Sequence, residues 1–285
     1  MRHFVKASIL GLLALYPSKA FCACPGPELI ASYVTEFEAA KTSQGFGKDI
    51  SLAEAQCAKS KLAQALTPIL GAPVGYKAVF TNPDAQKRFG VPGPAWGVMY
   101  GRWMFNSNAK LPKGLGALQR YESDFIVIVK DAGLAEARSP LQALQHISAL
   151  TPFVELPDMM LDGKITGPEL IATNSAFRGG VLGAPIQVVA KPELLQALAE
   201  MEIVVTNETT GQEIGRERGR VLMDQPIKAA MWLAKALKKD GIRLKPGDML
   251  SLGGFLASKP ILPGSAVSVQ YKGLPGDPKV LLAFE

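Results

Sequence analysis

Two acids separated by one residue, Glu122 and Asp124, open the apolar run Phe125-Ile126-Val127-Ile128-Val129. On a strand, alternation places both carboxylates on one face and Ser123 on the other. Like charges that close repel unless a proton or a cation lies between them. A third acid, Glu155, interrupts the apolar stretch Phe153-Val154-Glu155-Leu156, where an unpartnered carboxylate is costly to bury. Three carboxylates without a nearby His or Cys pattern suit a hard, oxygen-seeking ion such as Mg2+ or Mn2+. An E-x-D triplet also arises by chance at solvated strand edges, so spacing alone leaves both readings open. Lys77, in Gly75-Tyr76-Lys77-Ala78-Val79, has two readings as well: a lysine pointing to solvent, or a pocket lysine that binds a carboxylate or moves a proton.

Other chemistries find little support. Beyond the first twenty residues there is one histidine, His146, which the pattern places in a helix over 141–149 as an ordinary helix residue. A serine or cysteine nucleophile activated by histidine would have to use it. No G-x-S-x-G, P-loop or dinucleotide fingerprint is present.

The elements that must position these residues fall into two parts. A helix is expected over 28–42, with Leu29, Ile30, Tyr33, Val34 and Phe37 on one face. A second starts at the capping box of Ser51 with Glu54. Short apolar strands then dominate, at 74–80, 96–105, 125–129, 181–189, 203–206, 249–252, 266–271 and 280–284. Helices start at Ser139-Pro140 and at Asp224 ahead of Pro226. The latter runs over 226–239 with an apolar core stripe of Ile227, Ala230, Met231, Ala234 and Leu237, and Gly241 at its C′ position. The fold class is α+β: a mixed, mostly β core with surrounding helices and an N-terminal helical layer. The organisation read from the sequence is a leader over 1–20, a helical segment over 21–71 and a catalytic domain over 72–285.

A hydrophobic fraction of 48% and a charged fraction of 20% in 285 residues are those of a globular protein. Half of the +6 formal charge comes from Arg2, Lys6 and Lys19, and the remaining bases are scattered without interleaved aromatics, which argues against a nucleic-acid partner. Arg2, His3 and Lys6 precede the apolar run 7–16, then Pro17 and small residues. This is the pattern of a secretory signal peptide cleaved near Phe21, too short for a stable membrane span. Export to the periplasm is the expectation, with a lipoprotein attached at a cysteine as the alternative. Cys22, Cys24 and Cys57 would then meet an oxidising compartment, and the sequence leaves their pairing open.

The stretches GYKAVFTNPDAQKRFGVPGPAWGVMY (75–100), YESDFIVIVKD (121–131), PFVELPD (152–158), TNSAFRGGVLG (173–183) and GRERGRVLMDQPIKAAMWLAKALKKDGIRLKPGDMLSLGGF (215–255) occur in an order that resembles the fumarylacetoacetate hydrolase superfamily. The likeness is to its branch of 2-hydroxypenta-2,4-dienoate (2-oxopent-4-enoate) hydratases and 4-oxalocrotonate decarboxylases, and it runs from about Leu52 to the C-terminus. No single motif decides it; the order and spacing do. The resemblance implies that Glu122, Asp124 and Glu155 hold a divalent metal, Mg2+ or Mn2+. It places Lys77 beside the substrate as proton donor or acceptor, with Asn174 and Gly253 near the substrate. It further implies a lyase, a hydratase acting on a short 2-hydroxy-dienoate or 2-oxo-alkenoate acid, and a homo-oligomer. A related 2-oxo acid decarboxylase, or an inactive envelope binding module on the same scaffold, are the alternatives. This sequence departs from the family in Asp124 where glutamate is usual, in Met159 and Met160 after the third acid, and in Leu252 where a threonine is usual. Export is also unusual for a family that mostly serves cytoplasmic aromatic catabolism.

Overall fold

The computed structural model describes residues 24–285; the leader expected over 1–20 and Cys22 lie outside the described residues. Two helices come first, α1 (Pro27–Glu38) and α2 (Leu52–Leu70). The expected capping box starts α2: Ser51 Oγ accepts from the Glu54 N–H, and the Glu54 carboxylate accepts from the Ser51 N–H. Ile30, Tyr33 and Phe37 of α1, with Leu62, Leu66 and Leu70 of α2, are buried in one cluster with the strands that follow. Of the pairings the sequence left open, the chain forms Cys24–Cys57, which ties the segment ahead of α1 to α2.

The chain continues through β1 (Pro73–Val79), α3 (Pro83–Phe89), β2 (Ala95–Tyr100), β3 (Met104–Asn106), β4 (Ala109–Leu111), β5 (Arg120–Val129), α4 (Pro140–Leu144) and β6 (Ile147–Pro157). Then come α5 (Gly167–Ala172), β7 (Phe177–Leu182), β8 (Ile186–Gln187), α6 (Pro192–Glu200), β9 (Glu202–Asn207) and β10 (Gln212–Arg218). The last are α7 (Pro226–Lys239), β11 (Met249–Ser251), β12 (Lys259–Pro260), β13 (Ala266–Lys272) and β14 (Lys279–Phe284). The larger sheet runs β2-β1-β11-β5-β6-β7-β3, with β12 on β5 and β8 on β6; the smaller runs β10-β9-β13-β14-β4. Aromatic side chains join them, Phe125 meeting Tyr271 at 5.4 Å and Tyr121 stacking on Phe284 at 5.9 Å between ring centroids.

Several sequence expectations shift. The runs over 96–105 and 181–189 each break into two strands. The helix expected over 141–149 stops at Leu144, because the register of β6 against β5 already claims Ile147 and Ala149. His146 therefore sits in a turn, with Nδ1 2.7 Å from Asp131 Oδ1. Helix α7 is capped by Gln225 rather than Asp224, since Pro226 at the first helical position makes the residue before it the cap. Its apolar stripe is buried and Gly241 follows it at φ +79°, both as expected.

Candidate active site

Strand register brings the acids together. In the antiparallel pair of β5 and β6, Glu122 lies directly opposite Glu155, which puts their Cβ atoms about 5 Å apart. Asp124, two residues along β5, shares their face. Lys77 on β1 is in register with Ser251 on β11, which is in turn in register with Ile126 on β5, so the lysine belongs to the same face. Its Nζ donates to Glu155 Oε1 and, at 2.9 Å, to the carbonyl of Ser175. Lys77, Asp124 and Glu155 are buried and Glu122 is partly buried.

Three carboxylates face one ammonium here, and the electrostatics record the imbalance. Burial and the neighbouring charge of Glu155 raise both Glu122 and Asp124 to about 7. Burial raises Glu155 too, against the opposing pull of Lys77. A cluster that would rather hold protons than stand fully ionised is one that a hard cation would relieve.

The turn after β11 decides how each acid is used. Ser251 Oγ donates to Asp124 Oδ2 at 2.6 Å, while the N–H groups of Leu252, Gly253 and Phe125 donate to Oδ1 at 3.2, 3.0 and 2.5 Å. Both oxygens of the shorter side chain are thus committed to the protein. Gly253 holds φ +102°, and a Cβ there would meet Thr81 Oγ1 at 2.5 Å, so the turn needs glycine. A Cβ on Gly254 would lie 3.0 Å from Glu122 Oε2, so the glutamate packs against bare backbone. Among the described residues, no three His, Cys, Asp or Glu side chains converge in a ready metal-holding set. Asp124 is turned to the 251–253 turn and Lys77 claims Glu155, which explains why. In charge, burial and donor chemistry the residues still fit a hard divalent cation, with Glu122 and Glu155 carrying the freer oxygens.

Asn174, Ser175 and Ala176 form a loop of three successive left-handed residues, φ +54°, +54° and +55°. Each costs on the order of 1–3 kcal/mol and persists only where its surroundings hold it. Asn174 supplies the hold: its Oδ1 accepts from the Val98 N–H at 2.7 Å and its Nδ2 donates to the Val98 carbonyl at 2.9 Å. The amide is therefore spent on β2 and serves the site through the loop it fixes. That loop aims the Ser175 carbonyl at Lys77 and leaves the buried Ser175 hydroxyl, on the cavity wall, without a partner. Sequence reasoning missed Ser175 and Ser251. Only their closeness to Asn174 and Gly253 could have signalled them.

Of these groups Lys77, Glu122, Ser175 and Gly254 line a cavity of about 520 Å3 that also meets Arg120, Met159, Phe255 and Ser258. Of the two methionines that depart from the family pattern, Met159 lines it and Met160 is buried in the core. Leu252 is fully buried and gives the site its backbone N–H.

This fold, two mixed sheets with the acids on the inner strands of the larger one, is shared with solved structures. It matches 4-oxalocrotonate decarboxylase from Pseudomonas putida G7, complexed with magnesium and adipate, at TM-score 0.77 and 18% identity over 90% of this chain and 96% of that one. Among sequence relatives, 2-keto-4-pentenoate hydratase of Burkholderia vietnamiensis is 23% identical over 183 residues, 64% of this chain and 68% of its own. The 4-oxalocrotonate decarboxylase of Pseudomonas sp. (strain CF600) is 21% identical over 202 residues, 70% of this chain and 74% of its own. No family model matches the chain. The chain is thus a homologue of the hydratases and decarboxylases that its motifs resemble.

Proposed function

We propose that the chain is a divalent-metal-dependent lyase that adds water to a short 2-hydroxy-dienoate or 2-oxo-alkenoate acid. The observation that carries this reading is the surplus of acid at the site: three carboxylates on one sheet face, each pushed toward its protonated form, with a single ammonium among them. Glu122 and Glu155, with Asp124 beside them, would hold the cation, and the cation supplies an electron sink for a 2-oxo acid. Structural neighbours carry Mg2+, Ca2+ or Mn2+, in keeping with such an ion.

The chain's own groups do the rest. Lys77, anchored by Glu155 and the Ser175 carbonyl, holds or moves a proton at Nζ on the cavity wall. The Ser175 hydroxyl is available to a substrate oxygen. Decarboxylation of a 2-oxo diacid needs the same sink, and one structural neighbour is named for that activity. The two reactions part over whether the substrate carries a second carboxylate.

The test uses protein beginning at Phe21, with Mn2+ or Mg2+ and 2-hydroxypenta-2,4-dienoate, followed by ultraviolet absorbance. Turnover that vanishes with EDTA is expected. Combined Glu122→Gln and Glu155→Gln substitution should abolish the cation-induced rise in melting temperature, because two anionic ligands are gone. An unchanged rise removes the metal assignment.

The same proposal extends to location and organisation: an exported protein with residues 1–20 removed, a helical segment over 21–71, and a catalytic domain over 72–285 that self-associates. The Cys24–Cys57 bond supports export, since disulfides persist in oxidising compartments. Intact mass of exported protein should show an N-terminus near Phe21; residues 1–20 still attached would overturn this.

A further inference from the structure

Lys59 is a fully buried base that the proposed chemistry does not use. It lies on α2 next to Ala58, which packs with Ala55, Leu170, Ile171 and Ala176 where α5 runs into the loop over 174–176. The lysine makes no ion pair among the described residues. Its Nζ donates to the Trp96 carbonyl at 3.2 Å and stands 3.2 Å from the centroid of the Trp96 ring. That ring is itself tied down, its Nε1 donating to Asp240 Oδ2 at 2.9 Å. An ammonium buried with so few acceptors is costly, and a methionine would fill the same space without that cost. What the lysine adds is a donor aimed at one carbonyl.

That carbonyl belongs to the outer edge of β2, the end strand of the larger sheet. Residues of an antiparallel pair alternate between bonding the partner strand and facing away from it. The N–H and carbonyl of Val98 both go to Asn174, so Val98 faces away from β1, and Trp96, two residues back, does the same. Lys59 and Asn174 therefore hold neighbouring groups on one edge. Gly97 lies between them, in register with Lys77 on β1. The loop crosses directly over this glycine, where a Cβ would meet the Asn174 carbonyl at 2.8 Å and Ser175 Cβ at 3.2 Å. We propose that Lys59 is a positioning residue for Lys77. It pins the edge of β2, the edge carries the strained loop, and the Ser175 carbonyl on that loop aims the Lys77 ammonium. Three left-handed residues held by one amide follow the strand that anchors them. The weight of this for turnover rests on the reading of Lys77 as the group that handles the proton; the path of contacts does not.

The Lys77 ammonium can be watched without turnover. In Mg2+-saturated protein labelled with 15N-lysine, the ammonium signals are recorded at pH 6, below the value of about 7 to which burial lowers Lys59, and Lys77→Arg assigns the Lys77 signal. Lys59→Met should move that signal, although the two side chains do not touch. Lys59→Arg, which keeps a donor and a charge over the Trp96 ring, should bring it back. Asp240→Ala loosens the Trp96 ring and leaves the Trp96 carbonyl alone, so it should leave the Lys77 signal in place. In the dienoate assay, Lys59→Met should lower kcat by about 10-fold, less than the roughly 100-fold that a 1 Å misplacement can cost, with KM and the Mg2+-induced melting shift unchanged. Should Lys59→Met not fold, Lys59→Gln, polar but too short for the Trp96 carbonyl, takes its place with the same expectation. A Lys77 signal that stays put in Lys59→Met, that moves equally in Asp240→Ala, or that Lys59→Arg does not restore overturns the inference and leaves the lyase reading intact. If wild type turns over no dienoate while the signals respond as stated, the lyase reading falls and the positioning of Lys77 stands.

Discussion

Two buried charge clusters stand side by side in this chain, and they are solved in opposite ways. Around Asp158 and Arg178 every charge is answered. Asp158 accepts from the N–H groups of Ala117 and Leu118 at 3.0 and 2.7 Å. Arg178 donates to the carbonyls of Leu115 and Phe37 and lies between the rings of Phe37 and Trp103, at 3.9 and 4.5 Å from their centroids. Around Glu122, Asp124 and Glu155, acids outnumber bases and all three are shifted up. A satisfied cluster fixes the fold; an over-charged one beside a cavity is the arrangement that functional sites use. Their substitutions should therefore fail differently.

The largest expected effect is on turnover at the over-charged cluster. Lys77→Met removes its only ammonium and should lower turnover by about 100-fold or more. It should cost little stability, because Glu155 can take up a proton in place of the ion pair. The melting temperature and the dienoate absorbance assay check this together, and loss of folding without loss of specific activity would erase the contrast. Next comes Arg178→Met, which strands Asp158 in the interior. Removing one partner of a buried pair costs about 3–5 kcal/mol. Denaturant unfolding should show that loss, while the cation-induced melting shift stays as in wild type; a lost shift would join the two clusters into one.

How far this was legible follows from the same contrast. The strand alternation and apolar context of Glu122, Asp124 and Glu155 were visible because they depend on local pattern. So were the Ser51 capping box and the stripe of α7. The parallel pairing of β1 with β11, which carries Lys77 to Glu155 across 78 positions, has no local signature. Nor does the tilt of Asp124 toward Ser251, since one hydroxyl in a distant turn decides it. The helix expected over 141–149 fails for a related reason: its apolar residues serve either period, and pairing with β5 selected the strand. Asp158 and Arg178 drew no notice in sequence, because a satisfied ion pair leaves no pattern of its own.

The smallest effect is also the one that reads both kinds of burial in a single curve. Glu122 and Asp124 move from ordinary values of 4.5 and 3.8 to about 7 on folding. Between those limits the folded chain binds more protons than the unfolded one, so stability is fully present below about pH 4 and is lost as pH rises through 7. Lys59 runs the other way. Buried over the Trp96 ring, with Nζ 3.2 Å from the centroid, it is lowered by desolvation from 10.5 to about 7. From pH 7 to 10.5 the unfolded chain binds the extra proton, and stability climbs with pH. The cation-free protein should therefore be least stable near neutrality, with melting temperatures on the order of 5 °C higher at pH 5 and at pH 9. Mn2+ should raise the neutral minimum by favouring the ionised acids, and Lys59→Met should flatten only the alkaline limb. A profile in EDTA that rises steadily from pH 5 to 7 would mean that the acids are not strained, and that the two clusters are of one kind after all.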